Sequence, residues 1–155
     1  ISQNSRKYLS ALINYNKALG QRNTTLKYFA SNRTFDASLL ELYDDILVSE
    51  GAVIYANRKG FAQELQPILQ RYYEVLSGGK EEVSIAYKST LHDMGMRELL
   101  ASRLDKDKVL QYTSVGTHRD DLVFELGGHP IKRVGSQGQQ KSFLIALKTC
   151  FKKVH

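Results

Sequence analysis

Two short stretches hold residue types that could grip a phosphate. In "GSQGQQKSFLIAL" at 135–147, Ser136 stands at the entry of an apolar helical pattern, with Gly135 and Gly138 beside it and no acid nearby. A serine hydroxyl and glycine-permitted backbone N–H groups converging at the positive end of a helix dipole make an anion site. Ser136 and Gln139 also have capping-box spacing, so the same residues serve equally well to start a helix without any ligand. The competitor is "LSGGK" at 76–80, which is followed by Glu81 and Glu82 and then by a strand pattern. The two carboxylates repel a phosphate, and no helix begins there to supply a dipole. This stretch reads as a helix C-cap, with Gly78 or Gly79 in the left-handed conformation.

Other patterns fail on spacing. "GGK" at 78–80 is not a P-loop, because Glu74 holds the position five before Gly79 and Glu81 follows Lys80. "HRDD" at 118–121 resembles a kinase catalytic loop, but the position five beyond Asp120 is Glu125 where asparagine is required. His118 with Asp120 and Asp121 makes a poor metal cluster, since neighbours on a strand point to opposite faces and at most His118 and Asp120 converge. No metal site is expected. A free-standing hydrolase using His118 and Asp120 lacks a candidate nucleophile placed with them.

These loops hang on elements of two kinds. Tyr8, Leu12, Tyr15, Leu19, Leu26 and Phe29 follow a heptad seam in which Arg22 takes one position. After the break at "SNRTFD", Leu39, Leu42, Tyr43 and Ile46 share one helical face, as do Phe61, Leu65, Ile68, Leu69, Tyr72 and Leu76. Pro67 is expected to kink this helix or divide it in two. Two helices joined by a short polar loop pair most economically as an antiparallel hairpin. The spacing therefore predicts a helical arm over 1–77 and a mixed domain over 78–155, an α+β chain. In the second part Val83, Ile85 and Tyr87 alternate as on a half-buried strand. "MRELLASRLDKDKVLQ" is helical, with Met96, Leu99, Leu100 and Leu104 on one side. "YTSVGTHRDDLVFEL" reads as one or two strands, "GGHP" at 127–130 as a turn, and Phe143, Leu144, Leu147 and Phe151 as one face of a last helix. Unpaired strand edges would make an isolated lobe associate.

The chain has 155 residues, 42% of them hydrophobic, which is enough for a packed core. Its single cysteine, Cys150, forms no internal disulfide, and no apolar run nears the roughly 18 residues of a membrane span. A reducing, cytoplasmic setting with no membrane contact is the simplest reading. The start lacks both an initiator methionine and a signal peptide, and the end falls inside a helical pattern, so the chain reads as an excised fragment. The net charge of +6 is unevenly spread. Residues 1–33 carry Arg6, Lys7, Lys17, Arg22, Lys27 and Arg33 without an acid, and residues 132–155 carry Lys132, Arg133, Lys141, Lys148, Lys152 and Lys153 without one. Two cationic ends around an acidic middle suit a polyanion such as DNA. Either cluster also suits a solvated helix face whose acidic partners lie elsewhere in the fold.

Taken together, "YNKALGQRNTTLK" at 15–27, "LSGGKEEVSIAY" at 76–87, "VGTHRDDLVFEL" at 115–126 and "GSQGQQKSFLIALK" at 135–148 resemble the middle section of the RecF family. These bacterial DNA repair proteins are ATPases related to ATP-binding cassette and SMC proteins. The resemblance covers essentially the whole chain and implies that residues 78–155 are part of an ATPase lobe. It places the signature motif on Ser136, Gln137, Gly138, Gln139, Gln140 and Lys141, whereas "LSGG", the usual opening of cassette signatures, is here the exit from the arm. In such ATPases the signature of one subunit completes the nucleotide site of the other. The resemblance thus implies that Ser136 and the Gly138 N–H meet phosphate in trans, Gln139 orients the helix, Lys141 adds charge, and His118 and Arg119 support the region. Thr117 departs from the family, which usually has proline there, and this bears on the local backbone. No P-loop and no apolar run ending in Asp-Glu is present, so no catalytic residue falls within the chain and it should not hydrolyse ATP alone.

For the full-length parent, the resemblance implies ATP and magnesium as cofactors, weak DNA-dependent ATPase activity and an ATP-dependent homodimer. It also implies binding to double-stranded and gapped DNA, RecR and RecO as partners, and help in loading RecA. Lys17, Arg22 and Lys27 of the basic arm are the candidate DNA contacts, although Arg22, on the seam, would instead pair inside the hairpin. The alternative is a helical module for protein–protein contact with Ser136 as a plain cap.

Overall fold

The computed structural model describes residues 3–78 and 82–130 together with Gln137 and Lys141. Two long helices open the chain, α1 (Gln3–Asn32) and α2 (Ser38–Ser77). A strand β1 (Val83–Lys88), short helices α3 (Met96–Ser102) and α4 (Leu104–Leu110), and strands β2 (Asp121–Leu126) and β3 (His129–Pro130) follow, with 3-10 turns at Thr90–His92 and Thr117–Arg119. The chain is therefore α+β. It divides into two compact units, 1–57 with 89–120 and 58–88 with 121–155. The division does not fall at residue 77, because the segment after β1 returns to pack on the helical hairpin.

In the first unit α1 and the start of α2 run antiparallel, as the contacts between them require. Phe29 clusters with Leu40, Arg22 bonds Asp44, and Tyr15 lies against Gly51. Ala11, Tyr15, Ala18, Leu47 and Ile54 form the core with Met96, Leu99, Leu100 and Val115. The α1 seam is close to the predicted one, with alanines at 11 and 18 allowing near approach. At the start of α2 the buried face is not the predicted one, whereas Phe61, Leu65, Ile68, Leu69 and Tyr72 pack as predicted. Leu40, Leu47 and Ile54 are buried, whereas Leu39 is 47% and Leu42 65% exposed. Asp44 and Gly51 occupy the missing seam positions, the first for Arg22 and the second for the Tyr15 ring, which stands 3.4 Å from where a Cβ at Gly51 would sit.

Helix α2 passes through Pro67 without dividing. It ends at Ser77, and Gly78 follows at φ 61 with its N–H on the Glu74 carbonyl, so "LSGGK" closes a helix. In the second unit Leu65, Leu69 and Tyr73 pack on Val83 and Leu126. Strand order is β1-β2-β3, antiparallel throughout, with Ile85 opposite Phe124 and Leu126 opposite His129. Gly127 (φ 59) and Gly128 (φ 85) form the two-residue hairpin turn that needs positive φ at both positions.

The outer edge of β1 is covered by side chains of α2. Gln66 donates to the Val83 carbonyl and accepts from the Ile85 N–H, and Gln70 accepts from the Val83 N–H, each at 2.6 Å. Two glutamines thus stand in for a neighbouring strand, which protects an edge expected to be open.

Candidate functional site

The segment 111–120, strand-like in its composition, is an irregular turn that the helices hold by polar contacts. Helix α4 ends in Gln111, left-handed at φ 64. Beyond it Thr113, Val115, Gly116 and Thr117 are buried. A backbone that pairs with no strand must satisfy its polar groups elsewhere. Asp107 does much of this: one carboxylate oxygen accepts the Ser114 N–H at 3.0 Å and the Ser114 hydroxyl at 2.6 Å. Its other oxygen accepts Arg22 Nη1 at 3.0 Å. The same Nη1 reaches the Thr113 hydroxyl at 2.8 Å, while Arg22 Nε bonds Asp44 at 2.7 Å. Asn23 accepts both the N–H and the hydroxyl of Thr113 at 2.8 Å.

Arg22 is therefore not a surface cation. Its side chain and that of Asp107 are both 0% exposed. Two carboxylates and a threonine fix it, which corrects the DNA-contact assignment in favour of the internal pair. The physical reason is its seam position on α1: the guanidinium points between the helices, and only paired acids make that burial tolerable.

His118 locks the turn from the other end. Its Nε2 lies 2.9 Å from the Thr113 carbonyl and so donates the proton, which leaves Nδ1 to accept the Tyr15 hydroxyl at 2.9 Å. Burial pushes the His118 pKa down against the hydrogen bond to the Thr113 carbonyl, which raises it, and the net direction favours the neutral ring in which Nδ1 can accept. Burial also pushes the Tyr15 hydroxyl up, against hydrogen bonds from the side chain and backbone of Thr117 and the backbone of His118. Gly116 makes the arrangement possible. It stands at φ 126, ψ −179, and a Cβ on it would collide with the Tyr15 hydroxyl and come within 2.8 Å of Met96 Cε. Thr117 takes the first position of the 3-10 turn, and both its side chain and its backbone hydrogen-bond the Tyr15 hydroxyl. A proline, the residue more usual in the resembling family, would lack the N–H that Thr117 gives to Tyr15.

Arg119 is exposed, with its guanidinium 5.3 Å from the centre of the Tyr112 ring. Lys17 and Lys27 are exposed on α1, about 15 Å apart along its axis. Gln137 and Lys141 are helical and exposed. Ser136, Gly138, Gln139 and Gln140 lie outside the described residues. Among the described residues no group of three His, Cys, Asp or Glu side chains could hold a metal ion, and no helix is long and apolar enough to cross a membrane. Sequence reasoning missed Tyr15, Asn23, Asp107, Thr113 and Gly116 as the residues that build this turn. The one signal was Arg22 on an apolar seam, which called for a buried acid.

No family model matches the chain. The DNA replication and repair protein RecF of Flavobacterium johnsoniae is 48% identical over 148 residues, which are 96% of this chain and 41% of the relative. That of Parabacteroides distasonis is 46% identical over the same share, 40% of its own length. The chain belongs to the RecF family. It spans about 41% of the length of the first of these RecF relatives. A solved structure of the recombination mediator protein RecF with ATP, from the RecFOR pathway, superposes with TM-score 0.84 at 26% identity, covering 94% of this chain and 41% of the RecF chain. A second, RecF-ATPrS, gives 0.83 at 28% identity over the same shares. The RecF fold extends over both units described above.

Proposed function

We propose that the full-length protein carrying this chain is a DNA replication and repair ATPase. In this reading it binds double-stranded and gapped DNA as an ATP-dependent dimer in the cytoplasm and works with RecR and RecO to help load RecA. The observation that carries the reading is the match to the RecF–ATP structure over nearly the whole chain, together with identities above 45% to RecF relatives. Within it, the loop 135–141 is the signature that meets nucleotide held by a partner subunit. Ser136 and the Gly138 N–H would contact phosphate, with Gln137 between them in the motif, while Gln139 would cap or orient the helix and Lys141 add positive charge. ATP with magnesium supplies the phosphate charge to which these groups respond. The exposure of Gln137 and Lys141 is consistent with a surface available to a partner. His118 and Arg119 would support the region through the turn anchored on Tyr15, Thr113 and Asp107.

Light scattering of the full-length protein with and without ATP and magnesium tests this reading. The wild type should move from monomer to dimer with ATP, and Ser136→Arg should stay monomeric with unchanged circular dichroism. Dimerisation of the variant with ATP would reduce Ser136 to a helix cap and favour a plain protein–protein module.

The DNA footprint on α1 shrinks to Lys17 and Lys27 once Arg22 is paired internally. Replacing both with alanine should weaken binding in fluorescence anisotropy. The log–log salt slope should flatten by about 0.9 for each phosphate no longer neutralised. An unchanged slope would take this face of α1 out of the footprint.

A further inference from the structure

The tip of the α1–α2 hairpin carries a strained residue that the proposed function does not use. Helix α1 closes with the Thr34 N–H on the Phe29 carbonyl at 3.1 Å, and Arg33 between them is left-handed at φ 51. This is the Schellman position, which glycine ordinarily fills because a side chain there costs about 1 kcal/mol or more. A cation near a helix C-terminus complements the dipole. That accounts for a cation in the last turn, where Ser31 or Asn32 would serve, but not for one at the strained position itself. Strain retained at an exposed residue points to a use for its side chain.

Arg33 borders a shallow depression of about 350 Å³ lined by Phe29, Ala30, Thr34, Phe35 and Lys108. Phe29 and Phe35 meet edge to face at 5.3 Å, and Lys108 Nζ stands 4.2 Å from the centre of the Phe35 ring. The lining thus has an aromatic floor, two cations and no acid. Asp36 is occupied at the start of α2, where one of its oxygens accepts the Ser38 N–H at 3.0 Å and the Ser38 hydroxyl at 2.6 Å.

We infer that this depression docks an acidic segment of a partner protein carrying one apolar side chain. The side chain would lie against the partly exposed Phe35 ring, which packs on the buried Phe29, and its flanking carboxylates would pair with Arg33 and Lys108. Charge complementarity selects an anion, and the surroundings select a peptide over a nucleic acid. Asp36 and Glu41 are both exposed at the start of α2 and oppose a continuous phosphate backbone, whereas discrete carboxylates can be placed between them. Exposed Phe35 (39%), Leu39 (47%) and Leu42 (65%) add apolar surface at the same end of the hairpin.

The probe is a fluorescein-labelled peptide of two aspartates, a phenylalanine and two aspartates, read by anisotropy on the full-length protein. Comparison peptides carry alanine for the phenylalanine or lysine for the aspartates, and an oligothymidylate serves as the nucleic-acid arm. The aspartate–phenylalanine peptide should bind, and both comparison peptides should bind about fivefold or more weakly. Arg33→Gly is the decisive variant because its two effects have opposite signs. It relieves the left-handed strain and should raise Tm by about 2–4 °C, while weakening the peptide about fivefold. Lys108→Ala should weaken it similarly. No binding of the aspartate–phenylalanine peptide, or undiminished binding by Arg33→Gly, would overturn the proposal. So would oligothymidylate affinity, rather than peptide affinity, that falls with Arg33→Gly.

Discussion

Gly116→Ala will lower the stability of the first unit by about 3–5 kcal/mol, seen as a fall in the urea midpoint at unchanged m. Two separate costs combine. At φ 126, ψ −179 the residue occupies a backbone region open essentially to glycine alone. The new methyl also meets the Tyr15 hydroxyl, Met96 Cε and His118 Nδ1, and the last two would stand at 2.8 and 3.1 Å. Met96 can swing aside. The Tyr15 hydroxyl is held by His118 and cannot move without breaking that bond. Adding Tyr15→Phe separates the terms, since removing the hydroxyl relieves its collision and leaves the backbone strain. The double variant should therefore be less destabilised than the two single effects added together, by about 1–2 kcal/mol. Strict additivity would mean that the collision contributes nothing.

What the sequence made legible follows from how local each determinant is. The hairpin, the glycine cap at Gly78, the strand β1 and the Gly127–Gly128 turn rest on residues close together in the chain, and each is present, although burial along β1 does not alternate. The face of α2 is misleading in sequence because Asp44 and Gly51 sit on its seam. Neither is apolar, and each is explained only by a partner on the other helix, Arg22 or Tyr15. Residues 111–116 have the β-branched composition of a strand, yet their backbone groups are taken by side chains. Asn23 binds Thr113 from 90 positions away, and Asp107 binds Ser114 from the middle of α4. Periodicity carries no trace of such pairings. The same non-local contacts move the boundary between units, because 89–120 packs on the hairpin while 58–77 of α2 packs on the sheet. In the candidate site, His118 and Arg119 were recognised by resemblance, but their anchors were not. A histidine on Tyr15 and Thr113 can be found only once the turn is folded.

Arg22→Met should cost about 3–5 kcal/mol, the loss expected when one partner of a buried ion pair is removed and the other stays. Methionine fills much of the volume and restores none of the bonds. Asp107, 0% exposed, would lose its cation while still accepting from Ser114, and the Thr113 hydroxyl would lose a donor. Arg22→Lys should recover only part of the loss, because one ammonium cannot span Asp44 and Asp107 as the Nε and Nη1 of one guanidinium do. Guanidinium chloride titrations of the three proteins give the order wild type, lysine, methionine. The DNA readout distinguishes this role from a surface one. For the fraction that remains folded, the salt slope of DNA binding by Arg22→Lys and Arg22→Met should equal that of the wild type, since a buried, doubly paired guanidinium neutralises no phosphate. A slope that falls by about 0.9 with little loss of stability would place Arg22 on the DNA and contradict the network. The network is also the route by which α1 can act on His118. Arg22 and Asn23 on α1 hold Thr113, the Thr113 carbonyl orients the imidazole, and the imidazole holds Tyr15 on the same helix. The loop closes on itself, so a displacement of α1 at Tyr15 or Arg22 must be shared by the whole turn that leads into β2.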